Sequence, residues 1–304
     1  MIDSNALIKV LEQLDAQLLG KSREVRLALA CILARGHLLL EDVPGVGKTT
    51  LAQALARAFG LESNRIQFTG DLMPSEITGG TVFERNSDTF VFHRGPIFTQ
   101  VVIADEINRA TPRTQSALLE AMSERKVSVE GNTYSLDTLF TVIATQNPVH
   151  QTGTYPLPES QLDRFSMSLS LGYPDPEYEK QLLTAGLNAT SLLQNLEPAA
   201  LIDLQEQVDA LHCSAELIDY LHRLISATRV DPNLSLGLSP RGGLQWLNVA
   251  RAWALIQGRD HVIPDDLQEV ALPVLSHKCQ SAAGSAEPIH ASLEHLIERV
   301  SIYQ

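Results

Sequence analysis

Between His37 and Thr50 the chain reads HLLLEDVPGVGKTT: an apolar run, a Pro44-Gly45 turn, then Gly47-Lys48-Thr49 opening the helical pattern LAQALARAFG. No other stretch narrows the possible folds as far. A strand that ends in a glycine-containing loop and restarts as a helix leaves several backbone N–H groups aimed at one point, at the positive end of a helix dipole. A phosphate suits that point. Lys48 reaches the β and γ phosphates of a nucleotide, and Thr49 offers its hydroxyl to the accompanying magnesium ion. Asp42 replaces the first glycine of the G-x-x-x-x-G-K-T pattern, while Pro44 and Gly45 still supply the turn. Asp42, Pro44, Gly45, Val46, Gly47 and Thr50 are therefore taken with Lys48 and Thr49 as the nucleotide cradle. The alternative is an ordinary strand-to-helix turn.

A second chemical anchor is VVIADEIN, Val101 to Asn108, in which four apolar residues run into Asp105-Glu106. A continuous apolar run is the pattern of a strand buried on both faces. Acids at its carboxyl end lie where ligands bind in open α/β sheets. Asp105 is placed to hold magnesium through water, and Glu106 to orient and deprotonate an attacking water. Standing alone, such a run would read as a core strand before an acidic helix start. The strand LFTVIAT ends at Gln146-Asn147-Pro148, where Asn147 either hydrogen-bonds the γ phosphate or attacking water, or serves as a turn residue before proline. Arg164, in LPESQLDRF beside the last core strand FSMSLSL, reads by itself as a solvated edge residue.

With 304 residues the chain exceeds one ordinary core, so two domains are expected. The breaker cluster Gly172-Tyr173-Pro174-Asp175-Pro176 suits their boundary: an α/β core over residues 1–172 and a helical domain over 173–304. In the first domain TVFERNSDTFVF and KVSVEGNTYSL read as hairpins. By composition the Phe and Val residues of the first are sheet core; as a run not needed for phosphate chemistry they are instead a surface for a client. Trp246 and Trp253, seven apart on one helix face, are expected as core anchors. Lys and Arg total 23 against 36 Asp and Glu, a formal charge of −13, which disfavours a nucleic-acid surface. The longest apolar stretch is cut by Arg35 and Gly36, so no membrane span is expected, and the opening residues lack the order of a signal peptide. A cytoplasmic protein is the expectation, and Cys31, Cys213 and Cys279 fit reduced thiols.

EDVPGVGKTT, RIQFTGDLMPSEITG, GPIF (Gly95 to Phe98), VVIADEINRA, ATQNP, LPESQLDRF and LSPRGG together resemble the MoxR family of AAA+ ATPases. The resemblance implies a phosphate-loop core with a five-stranded parallel sheet and β-hairpin insertions, followed by an all-helical lid. It implies ATP and Mg2+ as cofactors, with Lys48 and Thr49 on nucleotide and metal and Asp105 and Glu106 as metal-binding and catalytic acids. Asn147 becomes the first sensor, Arg164 the arginine finger given to a neighbouring subunit with Glu159 near the same interface, and Arg241 the second sensor on the lid. Gly70 replaces the family's usual proline, and Gly242-Gly243 suggests a flexible start to the helix bearing Arg241. The family assembles as rings, usually hexamers, that remodel or mature client proteins or insert cofactors, often with a von Willebrand factor A domain partner. Rings that activate rubisco or mature nitric-oxide reductase would share these motifs, and a nucleotide-binding scaffold without turnover is the rival from another class. A small-molecule kinase of the phosphate-loop type would lack the Asp105-Glu106 pair and the Arg164 finger.

Overall fold

The computed structural model describes residues 4–86, 88–147, 153–185, 196–283 and 288–302. Pro148, and Ser87 within the TVFERNSDTFVF stretch, lie outside the described residues. Helices α1 (Ser4–Gln17) and α2 (Ser22–Leu33) precede strand β1 (Leu38–Glu41), and α3 (Lys48–Ala58) leaves the loop that follows it. Next come β2 (Ser63–Gln67), the short α4 (Pro74–Thr78), a hairpin of β3 (Gly79–Glu84) and β4 (Thr89–Arg94), and β5 (Val101–Asp105). Helix α5 (Pro112–Glu124), a second hairpin of β6 (Lys126–Val129) and β7 (Asn132–Ser135), β8 (Thr141–Gln146), α6 (Glu159–Leu162) and β9 (Met167–Leu169) complete the first half.

The main sheet is parallel, in the order β2-β5-β8-β1-β9. Strand alternation divides its apolar residues between two faces. Leu38, Leu40, Val101, Ile103 and Ile143 join the cluster formed with α1, α2 and α3, whereas Leu39, Val102, Ala104, Val142 and Ala144 pack on the α4 and α5 side. Both faces are covered, which is why these strands read as unbroken apolar runs. Register aligns the carboxyl ends: Gln67 lies beside Asp105 and Glu41 beside Gln146.

Beyond the sheet the chain is helical: α7 (Pro176–Ala185), α8 (Pro198–Ala210), α9 (Ala215–Val230), α10 (Pro240–Ile256), α11 (Pro264–Glu269), α12 (Ala271–Leu275) and α13 (Ile289–Arg299). One departure from an all-helical lid is the two-stranded antiparallel ladder of β10 (Leu234–Leu236) and β11 (Gln280–Ser281), whose three- and two-residue strands are too short to leave a period in the sequence. Trp246 is fully buried, with Nε1 donating to Leu267 O at 2.8 Å, and Trp253 is nearly so. Gly242 and Gly243 lie buried in the first turn of α10, where a Cβ would come within 2.5 Å of the end of the Leu238 side chain and 2.7 Å of that of Ile225.

The first hairpin overturns the core reading of its side chains. Val82, Phe83 and Phe90 are 53%, 45% and 74% exposed, and the two rings meet edge to face at 5.2 Å in solvent. Phe92 behaves differently: it stacks on Tyr134 of the second hairpin at 4.1 Å and joins the two insertions. Among the described residues, no helix is long and apolar enough to cross a membrane.

Candidate active site

Gly47, the N-cap of α3, and Gly45 both adopt left-handed φ, +99 and +87, and a Cβ on either would meet nothing within 4 Å. The glycines thus serve the backbone path and leave the loop mouth open. Asp42, where the sequence departs from the usual pattern, anchors the loop. Its carboxylate accepts from Val43 N at 2.7 Å, Ser170 Oγ at 2.8 Å and Gly172 N at 2.6 Å. Partial burial would raise the Asp42 carboxyl, but these bonds outweigh it and hold it below its ordinary value.

Lys48 is buried at the loop's end. Its ammonium donates to the Asp42 carbonyl, to Val43 O at 3.2 Å and to Asn147 Oδ1 at 3.2 Å. Desolvation lowers its pKa against the opposing pull of Asp42, Glu106 and Asp105. Thr49 Oγ1 donates to Asp105 Oδ1 at 3.3 Å, and Thr145 Oγ1 donates to the same oxygen at 3.3 Å. The other Asp105 oxygen takes Arg65 Nε at 2.5 Å. A hydroxyl and a carboxylate side by side below an open phosphate cradle are hard oxygen donors of the kind magnesium prefers, so the residues fit that ion. Among the described residues, no three of His, Cys, Asp and Glu gather as a second metal-binding cluster.

Glu106 sits in left-handed backbone, φ 55, directly after β5, which turns its side chain back over the sheet edge. Asn147 Nδ2 donates to one of its oxygens at 3.1 Å, while Gln67 Nε2 at 3.0 Å and Arg109 Nη1 at 2.9 Å donate to the other. Lys48, Thr49, Asp105, Glu106 and Asn147 line one cavity of about 270 Å³ with Pro44 and Gly45. Arg65, Gln67 and Thr145 share it and were not foreseen. Arg65 and Gln67 alternate with Ile66 on an otherwise polar edge strand, a pattern that looks solvated, and only the register with β5 reveals their neighbours. An apolar cavity of about 130 Å³ adjoins the loop, lined by Leu18, Leu19, Val46, Thr50 and Pro174 among others.

Arg164 and Arg241 are elsewhere. They line a separate cavity of about 300 Å³ with Arg35, Arg125 and His37, at the amino-terminal edge of the sheet. Arg164 Nη1 donates to Leu119 O at 2.5 Å and to Ser123 Oγ, both in α5. Arg241 is the second residue of α10, whose N-cap Ser239 accepts from Gly242 N at 3.0 Å. Glu159 accepts from Gln280 Nε2 of the lid at 2.7 Å. His37 and Asp42 bracket β1, and at about 3.3 Å per residue they stand about 16 Å apart. That exceeds the reach of an arginine side chain, and in this arrangement Arg164 and Arg241 line a cavity apart from the one at the loop.

Residues 37–167 match the model of the ATPase family associated with various cellular activities (AAA), and residues 226–298 match the AAA lid domain. The chain is 44% identical over 274 residues to the uncharacterized protein YeaC of Bacillus subtilis, covering 89% of this chain and 85% of that one. It is 41% identical over 271 residues to chaperone MoxR1 of Mycobacterium tuberculosis, with 86% and 72% covered. To protein MoxR of Paracoccus denitrificans it is 32% identical over 292 residues, with 87% and 86% covered. A crystal structure of a Cytophaga hutchinsonii protein assigned as an ATPase superposes with a TM-score of 0.90 at 33% identity, covering 99% of this chain and 96% of that one.

Proposed function

The chain belongs to the MoxR family of AAA+ ATPases, and from that premise we infer that it hydrolyses ATP at sites shared between neighbouring copies and uses the motion to remodel a client protein. The observation that carries this reading is the separation of Lys48, Thr49, Asp105, Glu106 and Asn147 from Arg164 and Arg241, at opposite edges of one sheet.

The loop N–H groups and Lys48 hold the phosphates, the latter exchanging backbone carbonyls for phosphate oxygens. The apolar cavity under Leu18 and Pro174 takes the base. Thr49 and Asp105 are the residues that would hold Mg2+, which would supply positive charge to offset that of the phosphates. Glu106 accepts a proton from the attacking water, and Asn147, bonded to both Lys48 and Glu106, senses the γ phosphate. Arg164 and Arg241 act in trans on the neighbour's phosphates, which requires Arg164 to leave Leu119 and Ser123. We assign residues 1–172 to the nucleotide-binding core and 173–304 to the lid. The working form is a cytoplasmic ring, a hexamer by analogy with the family, with a von Willebrand factor A domain partner. The test is subunit mixing. Arg164→Ala and Lys48→Ala proteins, each inactive alone, recover ATPase activity when mixed, because one interface then pairs an intact loop with an intact finger. Silence at every ratio, with mixed assemblies verified by mass, removes Arg164 from the site.

A further inference from the structure

Three residues from distant parts of the chain meet behind the two arginines. Asp163, the residue before Arg164, accepts from Ser239 Oγ with both carboxylate oxygens, at 3.0 and 3.1 Å. Ser239 is the N-cap of α10, two residues before Arg241. Lys278, between α12 and β11, reaches the same place from behind, with its side chain 1% exposed. Its ammonium lies 3.5 Å from Asp163 Oδ1 and donates to Asp163 O at 3.1 Å, Phe165 O at 2.6 Å and Gln245 Oε1 of α10 at 2.6 Å. One buried cation therefore grips the backbone on both sides of Arg164 and, through Gln245, the helix that carries Arg241. Nothing in phosphate chemistry requires a charge at this depth. An ammonium left unpaired here would be costly, so the four acceptors hold it as firmly as it holds them.

We propose that Lys278 and Asp163 are positioning residues that fix Arg164 and Arg241 as one rigid unit, so that movement of the lid moves the arginine finger with it. This rests on the reading that both arginines act on a neighbour's nucleotide. The lid is then clamped to the finger segment, and nucleotide-driven lid motion reaches the adjoining subunit through it.

Burial pushes the Lys278 pKa down to about 8, against the attraction of Asp163 and with a further push from Arg241. The other ionisable groups around it stay silent near that pH. His277 is held neutral by burial, pushed down to about 3, and the buried thiols of Cys31 and Cys279 are pushed up to about 12. The clamp thus loses its charge as pH rises through about 8. Stability moves the other way: an unfolded lysine keeps its proton up to its ordinary value of 10.5, so this group makes the fold more stable between pH 8 and 10.5. Deprotonation of Lys278 therefore does not itself weaken the fold.

The experiment is steady-state ATP hydrolysis by the assembled full-length protein between pH 7 and 9.5, for the parent, Lys278→Met, Asp163→Asn and Arg164→Ala. Displacing catalytic groups by about 1 Å costs about a hundredfold in rate. Lys278→Met is expected to lose about tenfold to a hundredfold in kcat with KM for ATP within about twofold, because its own loop is intact. The parental decline of kcat above pH 8 is expected to vanish in this variant. If Lys278→Met does not fold, Asp163→Asn keeps the shape and the Ser239 contact while removing the charge, and the same loss in kcat alone is expected. A folded, assembled Lys278→Met or Asp163→Asn with parental kcat and pH profile overturns the clamp, and so does a loss confined to KM. Failure of the underlying reading looks different: Arg164→Ala itself would then hydrolyse ATP at the parental rate, and the clamp would fall with it.

Discussion

Glu106 and Lys48 share a cavity but predict different defects. Lys48→Ala removes a phosphate-binding charge and is expected to lose nucleotide affinity. Glu106→Gln keeps the hydrogen-bonding shape and removes only the proton acceptor, so it binds ATP as the parent does and loses about 10² to 10⁴ in turnover. Nucleotide titration beside an ATPase assay separates the two, and parental turnover by Glu106→Gln would refute the assignment of the base. His37 makes a pH prediction. Its Nδ1 accepts from Val142 N at 3.0 Å, so a proton there would oppose a backbone N–H, and Nε2 faces Met122 O at 3.3 Å. Burial pushes the His37 imidazole from 6.5 down to about 4. The unfolded chain therefore binds the extra proton first, and stability falls as pH drops from 6.5 towards 4, by about 1.4 kcal/mol per unit for this group. His277, also buried neutral, adds a second such slope. Urea unfolding at stepped pH is expected to show His37→Gln losing one of the two proton equivalents; an unchanged slope would contradict the assignment.

At the scale of elements, the first hairpin joins a closely packed base to exposed aromatic side chains further out. A Cβ on Gly95 would come within 2.3 Å of Ile77 O and Gly79 N, and one on Gly79 within 2.1 Å of His93 O. Backbone atoms cannot step aside as a flexible side chain can, so Gly95→Ala is expected to cost about 1–3 kcal/mol. Phe83→Ser with Phe90→Ser, at the exposed tip, should cost about 1 kcal/mol or less. If the tip touches the client, the same double variant keeps basal ATPase while a Glu106→Gln trap carrying it no longer captures client from lysate. Insolubility would instead return these rings to the core. The buried strands were legible because residues covered on both faces leave no polar alternation, and the loop because glycine, lysine and threonine at fixed spacing have one strong use. The exposed rings were not, since composition cannot distinguish an apolar run that packs from one that waits.

Across the whole molecule, the five residues that line the candidate site were singled out from sequence because each sits at a strand end or loop with its own local signature. The adjoining apolar cavity was not, since Leu18 and Pro174 are brought together only by folding, and neither is unusual where it stands. The Asp163, Ser239 and Lys278 cluster is of the same kind. Arg164 and Arg241 were named by resemblance, and only the folded chain shows that they share a cavity apart from the loop. A shared site makes activity collective, so specific ATPase activity per chain is expected to rise with protein concentration until assembly saturates. A rate per chain independent of dilution, in protein shown to be monomeric by light scattering, would mean that one copy suffices.

If Arg164 and Arg241 serve a neighbour's nucleotide, the two edges of the central sheet carry unlike halves of one reaction centre, and contact between copies then joins front to back and cannot be self-complementary. On the proposed reading this has an arithmetical consequence. An open row of copies always ends in one cradle without arginines and one pair of arginines without a cradle, however long it grows. Only a closed circle leaves no half unused, so a break anywhere in it silences one centre and exposes its nucleotide to exchange.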